Sequence, residues 1–367
     1  MTFLIVPVLA PASTIDSSNA LAMLIANKRP AARFEGPTVI SPPGLWLTYA
    51  AVYISATTDT FSPQRAERRD DLLNLATAMG YAEKPTHDRV LSDAAELKRL
   101  AGGSNVAMRL WTVENTDLGG PARSELARLG VSVVTHAMDR TYRSQMSAWL
   151  SQHSDSAFPA IGTEVSPFST GVLSTAVEHK LAFPTSFRED SVVAPSIIPT
   201  AAGGVASLAG KAILYFNDSS GIRGIEIEAA TGRFFLFTGS SEHLQRMLHG
   251  LSLSKWTEMK SRFKTRPGRI VDSFQAQSSY DVMPIARLGN LNIWGSSPVS
   301  ALQRGSVNFD SDKIDLVAAT EFVASGCCAD FAVNPRTESQ FQWSSLEPLV
   351  FVDEAPSGLI MFLGYRL

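Results

Sequence analysis

Residues 212–238 read AILYFNDSSGIRGIEIEAATGRFFLFT and contain three short runs of β-branched and aromatic residues. The first two runs, Ala212–Asn217 and Ile222–Ala229, are separated by Asp-Ser-Ser-Gly, a composition typical of turns. The third run, Arg233–Thr238, follows Ala-Thr-Gly. This spacing predicts three consecutive strands in a meander. Since the four apolar residues Phe234–Phe237 do not alternate with polar ones, we expect the third strand to be covered on both faces.

Two helices are predicted immediately after this meander. Ser240 or Ser241 can cap the first helix, whose apolar stripe includes Leu244 and Leu248. Ser254 can start the second helix, with Trp256 on its apolar face.

The segment Lys255–Arg269 carries the strongest charge asymmetry of the chain, because it holds six basic residues against the single acid Glu258. Basic residues interleaved with Trp256 and Phe263 could face nucleic acid. A solvated helix face with its aromatic residues in the core gives the same pattern, and so few charges rarely suffice for binding. The candidate nucleic-acid-facing residues are Lys255, Lys260, Arg262, Lys264, Arg266 and Arg269.

The N-terminal part of the chain contains a β-α-β pattern. Val106–Val113 is predicted as a strand, Pro121–Leu129 as a helix and Val131–Thr135 as a second strand, parallel to the first. Active sites in such sheets lie at the carboxyl ends of strands, so His136 with Asp139 is the candidate catalytic pair. The glycines Gly119 and Gly120 before the helix offer only backbone amides to an anion, which makes a weak site, and a simple helix cap is the favoured interpretation.

Regular patterning fades between Ser151 and Gly204, where prolines interrupt a Ser- and Thr-rich sequence and one helix is predicted at Leu173–Leu181. The predicted organisation is therefore an α/β-like half over 1–155, an irregular region over 156–204 and an α+β half over 205–367, with a single domain as the alternative. The predicted fold class is α+β, with mixed helices and short strands. Two further elements, Leu45–Ser55 and Lys313–Phe322, have apolar patterns compatible with strand or helix.

The sequence contains no recognisable catalytic motif. There is no dinucleotide or phosphate loop, no nucleophile elbow and no His-Glu-x-x-His, so no cofactor, no metal and no catalytic residue are predicted. The two cysteines, Cys327 and Cys328, are adjacent and favour a reducing compartment. Met1–Ala12 lacks the basic start of a secretory signal, and no stretch reaches the length of a membrane span. The expected location is therefore cytoplasm or virion, without a membrane partner.

The composition leads to three functional interpretations. A net charge of −3 with 45% hydrophobic and 18% charged residues is lean in charge, as expected if much of the surface meets other protein; a large single core gives the same numbers. The first interpretation is a self-assembling, RNA-associated capsid-type shell subunit whose partners are copies of itself and a genome, and which is not an enzyme. The alternative is an intracellular α/β enzyme with scattered residues near His136. The third is a nucleic-acid-binding accessory protein acting through Lys255–Arg269.

Overall fold

The structure is a computed structural model, and it describes part of the chain. The described residues are 14–28, 38–58, 67–113, 116, 118–136, 141–163, 165, 169–182, 213–217, 219–266, 274–286, 291, 293–294, 296–309, 313–325, 341–342 and 348–367. They form helices together with two large sheets, which confirms the α+β class.

The bounds of the elements follow the chain. The helices are α1 (Thr14–Lys28), α2 (Pro42–Thr58), α3 (Glu67–Ala78), α4 (His87–Leu100), α5 (Gly120–Arg128), α6 (Thr141–His153), α7 (Ser241–His249), α8 (Leu253–Ser261) and α9 (Met283–Ala286). The strands are β1 (Thr38–Ile40), β2 (Asn105–Val113), β3 (Val131–His136), β4 (Ser169–Ala182), β5 (Ile213–Asn217), β6 (Arg223–Ala229), β7 (Gly232–Thr238), β8 (Lys264–Arg266), β9 (Phe274–Asp281), β10 (Ser297–Phe309), β11 (Lys313–Ser325), β12 (Phe341–Gln342), β13 (Leu349–Glu354) and β14 (Ile360–Arg366).

The strands form two sheets. The first sheet has the order β1-β14-β13-β7-β6-β5-β8 and contains the predicted meander as β5, β6 and β7. The second sheet has the order β12-β9-β10-β11-β4-β2-β3. Its strands pair antiparallel except β2 and β3, which are parallel and joined through α5. The predicted β-α-β unit is therefore confirmed, and it lies at one edge of the second sheet.

Helix α2 packs between the sheets and decides the ambiguous element at Leu45–Ser55. It contacts β4 and β11 of the second sheet and β14 of the first. Every residue from Pro42 to Ala56 is buried, so the helix has no wet face and no helical periodicity to read from its sequence. Two polar groups on it are satisfied by backbone: the Trp46 indole donates to Met79 O at 2.9 Å, and the Tyr49 hydroxyl donates to Val282 O at 3.0 Å.

The predicted helix at Leu173–Leu181 is wrong, because these residues belong to the long strand β4. Leu173, Val177 and Leu181 repeat every four residues, a spacing that fits both one helical stripe and one face of a strand. In the fold this face packs in the main core, while Val172 and Ala176 on the other face pack with α6. Pairing with β11 and β2 along both edges overrides the local pattern. The division at residues 155 and 204 stays a prediction, although β4 joins strands from both halves into one sheet.

Candidate functional site

Strand β11 occupies the middle of the second sheet. It forms a hairpin with β10, the two strands being separated by only three residues, and pairs antiparallel with β4 on its other side. The register runs from Lys313 opposite Ala182 to Ser325 opposite Ser169. The thirteen-residue strand β11 thus separates β10 from β4. Both neighbours are antiparallel to β11, so they run parallel to each other and could pair directly only if β11 were absent.

The two faces of β11 enter different cores. One face packs against the main core and α2 through Ile314, Leu316, Ala318, Phe322 and Ala324. The other face packs in a separate cluster with the α6 side chains Tyr142, Met146 and Trp149. Both faces of the strand are therefore sealed, which is the arrangement expected of a central strand.

A row of polar side chains crosses the core-facing side of the second sheet. The Gln303 side-chain amide on β10 donates to Ser41 O at 3.2 Å and to the Thr320 hydroxyl on β11 at 2.7 Å. Its carbonyl oxygen accepts from Ser41 N at 3.0 Å. One strand further, the Thr175 hydroxyl lies 2.9 Å from the Thr48 hydroxyl of α2. These bonds satisfy buried polar groups and tie β11 to the chain segment that starts α2.

The only acidic side chain on β11 that is fully buried is Glu321, which faces the α6 side. Its carboxylate accepts from Gly162 N at 2.8 Å, from Thr163 N at 2.8 Å and from the Thr163 hydroxyl at 2.8 Å. The Arg304 guanidinium on β10 donates to it at 2.5 Å. A buried charge is tolerated where it is paired and its lone pairs are used, and both conditions are met here.

A second buried charge pair joins the two sheets. His179 on β4 and Asp353 on β13 are fully buried, with His179 Nδ1 2.7 Å from Asp353 Oδ2 and His179 Nε2 3.1 Å from Thr231 O. Burial alone would lower the pKa of His179, but Asp353 and the carbonyl of Thr231 outweigh it, so the pKa of His179 is raised. Burial raises the pKa of Asp353 despite the histidine. Both shifts mean that the folded pair binds protons more tightly than the unfolded chain does.

The neighbouring carboxylate, Glu354, gathers three donors at the end of β13. It is fully buried and accepts from the Trp256 indole at 3.0 Å and from Lys260 Nζ at 2.9 Å, and it pairs with Arg233. Burial raises the pKa of the adjacent Glu226, although Arg233 opposes this shift. This cluster binds α8 to the first sheet.

The six basic residues predicted to face nucleic acid have different surroundings in the structure. Lys260 Nζ pairs with the buried Glu354 carboxylate at 2.9 Å. Lys255 and Arg262 line an open groove of about 320 Å³ between α7 and α8, where Glu258 lies among them. Lys264 is exposed on β8, the backbone of Arg266 belongs to the same strand, and Arg269 lies outside the described residues. The assignment of these six residues to a ligand-facing surface stays a prediction.

The candidate pair of His136 and Asp139 lies only partly within the described residues. His136 ends β3 and stacks on Trp111 at 5.4 Å between ring centroids, with Tyr142 also at 5.4 Å. Asp139 lies outside the described residues. Gly119 is the N-cap of α5 without a side-chain hydrogen bond, consistent with the simple cap. Where His136 was expected to face a pocket, it packs in an aromatic cluster under α6.

In the ranges that the structure describes, no three His, Cys, Asp or Glu side chains are placed to hold a metal ion. Within the same ranges, none of the helices combines the length and apolar character that a membrane crossing requires. The compartment remains a prediction, and the cysteines on which it rests lie outside the described residues.

No protein-family model and no curated protein matches the sequence. Solved structures, however, are similar over almost the whole chain. A loop C-sheet serpin polymer superposes with a TM-score of 0.71 at 14% identity, covering 96% of this chain and 95% of that chain. The chain has the serpin fold. Tengpin, a thermophilic serpin in the latent state, gives a TM-score of 0.70 at 13% identity over 96% of this chain and 97% of its own. The loop-inserted structure of a cleaved ovalbumin mutant gives 0.70 at 12% identity over 96% of this chain and 99% of its own.

This likeness overturns the first functional interpretation. The prediction of a capsid-type shell, with copies of the chain and a nucleic-acid genome as partners, is wrong, because the fold is that of serpins. The lean charge that suggested subunit contacts is explained by a large interior, in which α2 is buried between two seven-stranded sheets. The enzyme near His136 and the nucleic-acid accessory protein gain no support from the likeness either.

The sequence reasoning missed the feature that distinguishes this fold. It identified Lys313–Phe322 as a strand or short helix, but it did not place that element at the centre of a sheet. The apolar run from Ile314 to Ala319, interrupted only by Asp315, was a signal compatible with a strand buried on both faces. Nothing local indicated Glu321 or Gln303, since their roles depend on partners far away in the chain.

Proposed function

We propose that this protein is a serpin-type protease inhibitor that acts by inserting β11 into the second sheet. The observation that carries the proposal is the position of β11 between β10 and β4, together with its likeness to serpins described as latent, cleaved or loop-inserted. In this proposal the segment 326–340, which follows β11, is the bait that a target protease cleaves. The chain is then a partner of proteases and not itself a catalyst.

The physical logic is an exchange of strand partners. Before insertion, β10 and β4 present edges to each other and β11 lies outside the sheet. After cleavage the end of β11 is free, and the strand gains backbone partners on both sides by entering between them. The apolar side chains that become buried are Ile314, Leu316, Val317, Phe322 and Val323. Their burial and the added ladder release energy stored in the uninserted state.

Insertion can act on the protease because proteolysis by a serine or cysteine enzyme passes through an acyl-enzyme. In that intermediate, the residue before the cleaved bond is covalently attached to the enzyme nucleophile. Entry of β11 into the sheet draws the attached enzyme along the molecule before water releases it. The inhibitor thus uses the folding energy of its own sheet to interrupt the target's catalytic cycle.

The test begins with cleavage of the full chain. Trypsin fits Arg336 and chymotrypsin fits Phe331, both of which lie in 326–340. An inhibitor should form a complex with the protease that survives denaturing electrophoresis. The cleaved chain should melt roughly 10 °C or more above the intact chain, because several apolar side chains become buried on insertion. Cleavage with no rise in melting temperature, and with fully active protease left in solution, would refute the proposal.

A matched pair of variants separates insertion from simple cleavage. Ala318 is buried against the main core, so Ala318→Arg should block entry of the strand and convert the inhibitor into a substrate. Lys313→Arg at the exposed start of the same strand is the control and should behave as the wild type does.

One observation favours a second candidate, a serpin-fold protein that inserts its strand without retaining a protease. Thr320 and Glu321 must both lose their hydrating water on entry, and Phe322 must pass into a closed core. This desolvation opposes insertion until the hydrogen bonds of the inserted strand have formed. A strand that enters more slowly than the acyl-enzyme hydrolyses releases an active protease. The cleaved chain would then show the rise in melting temperature without any stable complex.

A further inference from the structure

Four donors converge on the Glu321 carboxylate, and none of them belongs to the strand that carries it. Arg304 lies on β10, and the amides of Gly162 and Thr163 with the Thr163 hydroxyl follow α6. We call Arg304, Gly162 and Thr163 the carboxylate site. Because the site is formed by parts of the chain other than β11, it exists as a feature of the sheet that receives the strand.

The carboxylate site is held in place by its own contacts. Arg304 also donates to Ala160 O at 2.6 Å, and its guanidinium lies 4.8 Å from the ring centroid of Phe158. Gly162 approaches Arg304 so closely that a Cβ atom there would lie 2.7 Å from Arg304 Nε. Ile161 N donates to the Ser147 hydroxyl of α6 at 3.2 Å. These contacts orient the donors independently of Glu321.

We propose that Arg304, Gly162 and Thr163 form a binding site for a carboxylate on an extended strand, and that this site fixes the register at which β11 enters the second sheet. The proposal rests on the proposed function, since it requires β11 to lie outside the sheet in one state of the protein. Its ligand class is a strand with one acidic side chain between small or β-branched neighbours, as in Ala319, Glu321 and Val323.

The alternation of side chains between the two faces of β11 makes the register specific. A shift by one residue would turn Glu321 toward the main core and place Phe322 or Thr320 under α6. A shift by two residues keeps the faces but brings Ala319 or Val323 to the site, which leaves the two amides without an acceptor and the Arg304 guanidinium without a carboxylate. Only the observed register satisfies the donors, so the site discriminates among alignments that the small side chains alone would tolerate.

The other acid on the same face of β11 cannot replace Glu321. Asp315 lies near the start of the strand and pairs with Lys313 at 2.6 Å. It is six residues away, so its carboxylate remains far from Arg304 when the strand is in register. This makes Asp315→Asn a matched control, because it removes a negative charge from the same strand and the same face.

The experiment compares four full-length proteins, the wild type, Glu321→Gln, Glu321→Ala and Asp315→Asn, each before and after cleavage in 326–340. Before cleavage the four should melt at the same temperature. After cleavage, the melting temperature should rise equally in the wild type and in Asp315→Asn. It should rise less in Glu321→Gln and least in Glu321→Ala. Amide hydrogen exchange at Gly162 and Thr163 should be at least tenfold faster in cleaved Glu321→Ala than in cleaved wild type, because their acceptor is lost.

Equal gains in Glu321→Gln and wild type, with unchanged exchange at Gly162 and Thr163, would overturn the carboxylate site while leaving the proposed function intact. Failure of the proposed function gives a different result, namely a wild type whose melting temperature does not rise on cleavage. In that case β11 does not enter on cleavage, and its entry cannot be guided by the site, so the proposal fails with it. A rise in the melting temperature of the cleaved wild type, together with a smaller rise in Glu321→Gln, supports both the proposed function and the carboxylate site.

Discussion

Strands β7 and β11 are both central and buried on both faces, yet they are built from different side chains. The middle of β7 is Phe234-Phe235-Leu236-Phe237, whose aromatic rings pack against Phe351, Trp256 and Phe263. The middle of β11 is Ala318-Ala319-Thr320-Glu321, and its polar members are satisfied by Gln303 and the carboxylate site. The middle of the first strand is stabilised by apolar burial, and the middle of the second by hydrogen bonds to specific partners.

This difference separates a permanent core from an exchangeable one. Each buried phenylalanine contributes about 1.5–3 kcal/mol through burial, so withdrawing β7 would disrupt the first sheet in any state of the chain. Alanine contributes little by burial, and hydrogen bonds exchanged with water contribute only about 1 kcal/mol each. A strand of the second kind can be outside the sheet in one state and inside it in another, with the remaining fold unchanged.

The largest effect is expected in β7. Phe235→Ala removes a ring packed on Trp256 and Phe263 and should lower the free energy of unfolding by about 3–5 kcal/mol. The loss should be equal in intact and cleaved protein, because β7 has the same neighbours in both. Denaturant titration of the two forms measures it, with Leu73→Ala, 40% exposed on α3, as the control. A loss confined to one form would mean that the first sheet also changes on insertion.

A smaller, pH-dependent effect is expected at the junction between the sheets. Since the pKa of His179 is raised, the stability that this histidine contributes is present below about pH 6.5, its unfolded value, and decreases as pH rises through its folded value. For Asp353, whose pKa is also raised, the corresponding decrease begins lower, above its unfolded value of about 3.9. His179→Gln should lower stability by about 3 kcal/mol at pH 6 and flatten its pH dependence above that pH. Urea unfolding between pH 6 and 9 measures both quantities. His243→Gln on α7 is the control, and an unchanged slope in His179→Gln would assign the pH dependence to another group.

The smallest effect is expected in β11 itself. Thr320→Val keeps the shape of the side chain but leaves the Gln303 amide without one acceptor, so it should lower stability by about 1–2 kcal/mol. Under the proposed function this loss should be seen only after cleavage, when β11 is in the sheet. Thermal unfolding of intact and cleaved protein decides the point, and an equal loss in both would show that β11 occupies the sheet throughout.

Elements with local signals could be predicted from the sequence. Turn residues separate β5, β6 and β7, and Ser240, one of the two predicted caps, caps α7 by accepting from His243 N. Helix α2 was ambiguous because its residues are apolar on every side. Strand β4 was mistaken for a helix because a four-residue spacing satisfies both periods.

The candidate site could not be predicted, because its residues acquire their roles from distant partners. In the sequence Glu321 is an ordinary acid, because its donors Gly162 and Thr163 lie far away in the chain. The pairing of Lys260 with Glu354 is equally invisible from the sequence. A sequence window around either residue contains none of these partners. The central place of β11 depends on β4, which lies well over a hundred residues earlier.

The order of the strands along the chain is also the order in which they are synthesised. A ribosome adds about 5–20 residues per second, so β11 emerges roughly a second after β10, while pairing between distant strands takes about milliseconds to seconds. At that moment β4 and β10 already exist and β11 does not. A newly made chain therefore has time to join β4 to β10 first, whereas a chain diluted from denaturant offers all three strands at once. Under the proposed function, a chain folding during synthesis is therefore expected to leave β11 outside the sheet more often than a chain refolding from denaturant.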